Sequence, residues 1–213
     1  MKKSLLIVVF LFCQNVFSQS FTFDRFIEYQ HNSGRTSIFM INSKNESYYF
    51  FGGGFTNEII GSVFDLKNNI RHTYSLANIK NAVQFDYINS LIETKNKVPC
   101  YDKHNVIEVT EKQLDSLSTD FTVLKFRNSK KRQIIQSSNI KAIKSGIPLF
   151  SLIMKPFFGH FMYCQKIDLP ENYLPTIVEI DYFNGNKTKN ELIQNKEVNV
   201  LLSLNKKDIK LRN

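Results

Sequence analysis

The sequence predicts a mainly β protein of the α+β kind: a single curved antiparallel sheet or half-barrel, with a few short helices packed on its concave side. Three observations point there. The 213 residues include nineteen Phe and nine Tyr but no Trp, and aromatic and β-branched side chains suit a pleated, half-buried surface. Apolar residues alternate with polar ones in several stretches, the period of a strand with one buried face. The stretches are separated by short turn signals, which favour consecutive antiparallel strands over parallel crossovers of about a dozen or more connecting residues.

The chain starts with Lys2 and Lys3, an apolar run from Leu5 to Phe12, and Val16-Phe17-Ser18, with no acidic residue among the first eighteen. This reads as a cleaved export signal over residues 1–18, with a mature chain starting near Gln19. The run is shorter than the roughly 20 apolar residues of a membrane span. A lipid anchor on Cys13 is the lesser alternative, because Phe12 stands where lipoprotein processing takes a small residue. The expected location is outside the cytosol: periplasm, cell envelope or medium. Residues 19–213 are expected to form one β-rich domain with a basic C-terminal tail, Lys206-Lys207 to Arg212.

From Phe21 to Gln30 the alternation puts Phe21, Phe23, Arg25, Ile27 and Tyr29 on one face of a long strand. Asn32-Ser33-Gly34 reads as a turn, Thr36 to Asn42 as a strand, Ser43-Lys44-Asn45 as a turn and Ser47 to Phe51 as a strand. Gly52-Gly53-Gly54 reads as a turn or bulge, without the spacing of a phosphate-binding loop. Ile59 to Leu66 and Ile70 to Leu76 flank Lys67-Asn68-Asn69 as a hairpin. Further strands are expected at Val83 to Ile88 and His104 to Thr110, one or two helical turns at Glu111 to Ser118, then strands at Phe121 to Arg127 and Arg132 to Gln136. Thr176 to Phe183 enters Asn184-Gly185, a strong hairpin signal, and strands at Glu191 to Gln194 and Val198 to Leu204 follow.

Gly146 to Cys164 breaks the alternation. It is rich in Phe, Leu, Ile and Met and interrupted by Pro148, Pro156 and Gly159, which deny it the form of one long helix. Three readings stand: a plug that fills the core, a flexible lid over an apolar groove whose Met and Phe adapt to a hydrocarbon partner, or peripheral contact with a membrane surface. Under the second, the ligand-binding residues are Phe150, Ile153, Met154, Phe157, Phe158, Phe161 and Met162.

Export makes a disulfide between Cys100 and Cys164 the first expectation. Each Cys also has a His four residues away, His104 and His160, so a tetrahedral zinc site is the alternative. The predicted set contains no metal and no cofactor. Cys100-Tyr101-Asp102-Lys103-His104 offers nucleophile, acid and base types, yet reads better as a polar loop. Ser138-Asn139-Ile140-Lys141 and Ser151-Leu152-Ile153-Met154-Lys155 match S-x-x-K without that motif's partner elements. No catalytic constellation emerges, and the chain is not expected to be an enzyme.

The formal net charge is +9, two units of it from the leader. For an exported chain the first reading of this charge is solubility, and the second is contact with anionic head groups and wall polymers rather than nucleic acid. Lys130-Lys131-Arg132 reads as a solvated hairpin tip that discourages edge pairing, or as a docking point for an anionic envelope surface.

Leu174-Pro175-Thr176-Ile177-Val178-Glu179-Ile180-Asp181, then Asn184-Gly185 and a further strand, is similar to the late hairpin of the periplasmic lipoprotein-carrier (LolA/LolB-like) half-barrel proteins. The export signal, long antiparallel strands and apolar plug also resemble that family. A second likeness is to exported bacterial proteins named for a Gly-Leu-Pro-Gly-Leu-Ile motif; Tyr173 to Val178 keeps the Leu-Pro and lacks both glycines. The carrier resemblance implies a cavity under a curved sheet, capped by apolar helical pieces, that accepts lipid or lipoprotein acyl chains. The expected function is non-catalytic binding of an apolar or amphipathic ligand in the cell envelope. The alternative is a structural or protein-interaction module without a small-molecule ligand.

Overall fold

The structure, a computed structural model, describes residues 18–55, 58–79, 82–92, 105–158, 172–205 and 211–212. It is mainly β. Eleven antiparallel strands form one open sheet: β1 (Ser18–His31), β2 (Thr36–Asn42), β3 (Asn45–Phe55), β4 (Glu58–Asp65), β5 (Ile70–Ile79), β6 (Ala82–Ile92), β7 (Val106–Gln113), β8 (Ser118–Phe126), β9 (Ile134–Lys144), β10 (Tyr173–Asp181) and β11 (Lys187–Asn205). A two-residue strand, β12 (Leu211–Arg212), pairs in parallel with Ser90 and Leu91 of β6. The strand order is β12-β6-β5-β4-β3-β2-β1-β11-β10-β9-β8-β7. Two meanders, β1 to β6 and β7 to β11, are thus joined edge to edge by the first and eleventh strands.

The expectation of a few short helices is not met. Among the described residues there is one helix, α1 (Phe150–Phe158). Glu111 to Ser118 is the end of β7, a turn and the start of β8. The Asp115 carboxylate accepts from the backbone N–H groups of Leu117 and Ser118, both at 2.7 Å, and this side-chain turn competes with a helical one. Gly52-Gly53-Gly54 is neither turn nor bulge but lies inside β3, paired to Gly61, Ile60 and Ile59 of β4. The reason is packing: Gly52 and Gly61 face each other and make room for the fully buried Phe50 ring, which lies against Gly61, a use of strand glycine for close approach. The predicted strands at 191–194 and 198–204 are one strand of 19 residues.

The predicted single apolar face of β1 is divided in two. Phe21 and Phe23 join a cluster with Ile38, Met40, Phe50, Val63 and Leu76. Ile27 and Tyr29 join a different cluster with Phe39, Ile41 and Tyr49. Neighbours along β2 alternate between the clusters, so they occupy opposite faces of the sheet. The switch falls where the β1–β11 register breaks between Phe23 and Arg25, with Val198 and Asn199 opposite Asp24. Pairing with β2 starts only at Arg25, and pairing of β11 with β10 ends at Glu191. Ser18–Phe23 and Val200–Asn205 therefore form a two-stranded ribbon with no other strand beside it. Such ribbons twist more strongly than broad sheets, and an extra residue adds a bend. The ribbon arches over the face of β2 to β5, where Phe21 and Phe23 meet Tyr48 edge-on at 5.1 and 5.6 Å. Asp24 ties the bend down by accepting from Ser43 N at 2.8 Å and Ser43 Oγ at 2.6 Å.

The opposite face is covered by α1. Leu149 and Ile153 pack on β1 to β3, whereas Phe150 and Met154 pack on β8 to β10 with Phe121, Ile140, Val178 and Ile180. The Tyr29 hydroxyl donates to the Pro175 carbonyl at 2.6 Å and links the two meanders inside this core.

Candidate functional site

The arch of the ribbon leaves a cleft between itself and the first meander. Its volume is about 730 Å³, within the ~300–1,000 Å³ of small-molecule sites. One wall is β11 from Gln194 to Leu202; the floor and far wall carry Phe26, Ile38, Met40, Ile59, Leu76, Val83 and Phe85. Leu202 and Leu76 are buried, Phe26, Phe85 and Val200 are half-buried, and Val83 and Leu201 are exposed.

The polar lining comes from β1, β2 and β11: Glu28, Thr36, Gln194, Lys196 and Asn199. Phe26 pairs across the strands with Lys196 and Glu28 with Gln194, so all four side chains share one face. The Lys196 ammonium lies over the Phe26 ring, 5.0 Å from its centroid. Glu28 is the carboxylate and Thr36 the hydroxyl among the lining residues, and no His or Cys lines it. The cleft can take apolar surface out of water and hold a charge at its mouth. It has no nucleophile and base in contact.

A second polar cluster lies deeper, on β5 and β6. His72 Nδ1 is 2.6 Å from Ser90 Oγ, which is 2.7 Å from the Tyr87 hydroxyl. His72 and Ser90 are fully buried and His72 Nε2 has no hydrogen-bond partner. Burial holds the imidazole below its ordinary pKa, partly countered by the nearby Asp65 carboxylate. The Ser–His contact has no opening to a substrate, and its geometry is that of a packed core. Asp65 in turn accepts from Gln19 and Asn68, fastening the ribbon end and the β4–β5 turn.

The structure places four of the sequence-predicted ligand residues, Phe150, Ile153, Met154 and Phe157, in the core beneath the sheet. Phe150, Ile153 and Met154 have no exposed surface. Phe157 is half-buried and meets Tyr29 and Phe39 edge-on at 5.3 and 6.0 Å. The Phe158 side chain, Phe161, Met162, Cys100, Cys164, His104 and His160 lie outside the described residues, as does the question of a disulfide. The basic turn is exposed; Lys131 pairs with Glu108, and Lys130 and Arg132 flank it. Among the described residues no three His, Cys, Asp or Glu side chains are grouped to hold a metal ion, and no helix is long and apolar enough to cross a membrane. Sequence reasoning missed the cleft residues Phe26 and Lys196, although the alternation of Val198, Val200, Leu202 and Leu204 signals an apolar wall.

No protein-family model, curated protein or solved structure matches the chain.

Proposed function

We propose that this is an exported, non-catalytic binding protein of the cell envelope whose ligand is apolar or amphipathic and sits in the cleft under the β1–β11 ribbon. The observation that carries this is the open, mostly apolar cleft of about 730 Å³. In a filled core such a space would be closed by side chains, since interiors pack to crystal-like density. The leader-like start supports export, and the likeness to lipoprotein carriers points to acyl chains as the ligand class. The lid of the original expectation is replaced in this proposal: α1 is a core element, and the ribbon with the opposite face of the sheet forms the site.

Native mass spectrometry of the purified protein tests this. The expected result is a co-purified or added fatty amphiphile bound at one per chain, and its loss in Val200→Trp, whose indole would fill the cleft. A melting curve of the variant must keep a single cooperative transition. A wild-type protein that binds neither co-purified lipid nor added fatty acid refutes the proposal and leaves the interaction-module alternative, which the position of β7 at the edge of the sheet favours.

A further inference from the structure

The cleft has a direction. The charged lining residues, Glu28 and Lys196, lie on β1 and β11, where Lys196 pairs with Phe26 and is level with Met40 of β2. Across the cleft the lining from β4 to β6 is Ile59, Leu76, Ala77, Val83 and Phe85, all apolar. Charge on one side and apolar surface on the other suits an amphiphile whose tail lies toward β4 to β6.

We infer that Lys196 is the head-group subsite of this cleft, and that the ligand is an acyl chain carrying an anionic carboxylate or phosphate. This rests on the proposed binding function and adds the chemical class of the ligand. Three features single out Lys196. Its ammonium stands over the Phe26 ring at the exposed rim of the cleft, a cation–π contact that sets the charge beside the apolar lining. Among the described residues it has no ion-pair partner, and the adjacent carboxylate, Glu197, is drawn to Arg25 at 3.2 Å. Glu28 is the other charged residue that lines the cleft, one cross-strand pair along from Lys196. Its carboxylate repels an anion, so the favourable place for the head group is beside Lys196 on the side away from Glu28. An ammonium at the rim of a low-dielectric wall attracts such a group more strongly than one in open water.

The test is competition against a fluorescent fatty acid, 11-(dansylamino)undecanoic acid, on the full chain at neutral pH and moderate salt. The competitors are palmitate, palmitoyl lysophosphatidate, hexadecanol and inorganic phosphate; the proteins are wild type, Lys196→Met and Val200→Trp. The expected result is displacement by palmitate or by lysophosphatidate, the stronger of the two naming the head-group source, and little displacement by phosphate alone. Lys196→Met should weaken the preferred anionic competitor about tenfold, the scale of one lost charge contact, and leave hexadecanol within about twofold by the same scale. Equal weakening of hexadecanol and the anions, or no weakening of either while Val200→Trp abolishes binding, overturns the head-group assignment and leaves the cleft as the binding site. Free phosphate competing as well as the acyl compounds also overturns it. Failure of wild type to bind any acyl compound removes the binding function itself.

Discussion

Adding a single methyl group at Gly61 should unsettle the first meander. A Cβ built there would overlap Phe50 Cζ and lie 2.8 Å from Phe50 Cε1 and 2.9 Å from Gly52 Cα. The Phe50 ring is fully buried, with Phe85 edge-on at 5.7 Å, so it has no free space to retreat into. Overpacking of a well-filled core costs about 1–3 kcal/mol. Gly→Ala also removes backbone freedom from the unfolded chain, a gain of about 0.4–1 kcal/mol. The net expectation for Gly61→Ala is a loss of about 1–2 kcal/mol, or roughly 2–8 °C in Tm for a chain of this size. Gly146→Ala is the control, because nothing lies within 4 Å of a Cβ at that position, and it should melt at or slightly above wild type. Phe50→Leu should cost stability by itself but partly relieve Gly61→Ala, giving a coupling of at least about 0.5 kcal/mol in a double-mutant cycle. Differential scanning calorimetry on wild type, the three single variants and the Gly61→Ala/Phe50→Leu double variant decides it. A Gly61→Ala protein as stable as wild type, or strict additivity with Phe50→Leu, would refute the reasoning that the paired glycines exist to seat this ring.

Two further outcomes follow from buried polar groups. Tyr29→Phe removes the donor to the Pro175 carbonyl inside the core and should cost about 1–3 kcal/mol by chemical denaturation, the penalty of an unsatisfied buried group. Burial lowers the pKa of His72 in the fold, with Asp65 opposing the shift, so the unfolded chain binds a proton that the folded chain refuses. Stability should therefore fall as pH drops through the ordinary histidine range near about 6.5; the melting curve of His72→Gln measured between neutral pH and the onset of carboxylate titration should lack that decline.

Much of the β architecture was legible from local signals. Asn69 and Gly185 adopt positive φ in the two turns that Lys67-Asn68-Asn69 and Asn184-Gly185 announce, because turn geometry is chosen by a few adjacent residues. The β2 and β4 spans follow their alternation within a residue, and β5 and β8 within three, for the same reason. Glu111 to Ser118 misled because its apolar spacing suits a helical turn, and the deciding group is one Asp115 carboxylate that satisfies two turn N–H groups. The glycine run misled because its cause, the Phe50 ring across a strand pair, belongs to no local pattern.

The candidate site was harder to see. Phe150, Ile153 and Met154 have the composition of a greasy binding surface, but composition is the same for a lid and a core. Only the faces they meet distinguish the two, and those faces belong to strands on both meanders. Phe26 and Lys196 became neighbours through the pairing of β1 with β11, two strands from opposite ends of the described chain.

The amino-acid order by itself determined that this chain would form short-linked antiparallel strands with one apolar break, since alternation and turn chemistry act over a few residues. The tertiary structure decided which side of each strand is inside, that Leu149 to Met154 of the break pack as core, and that a hollow opens beneath an arched ribbon. Period-two patterns carry no memory across a register break, so one extra residue opposite Asp24 separates Phe23 from Ile27, and no local pattern of β1 records where its distant partner places that residue.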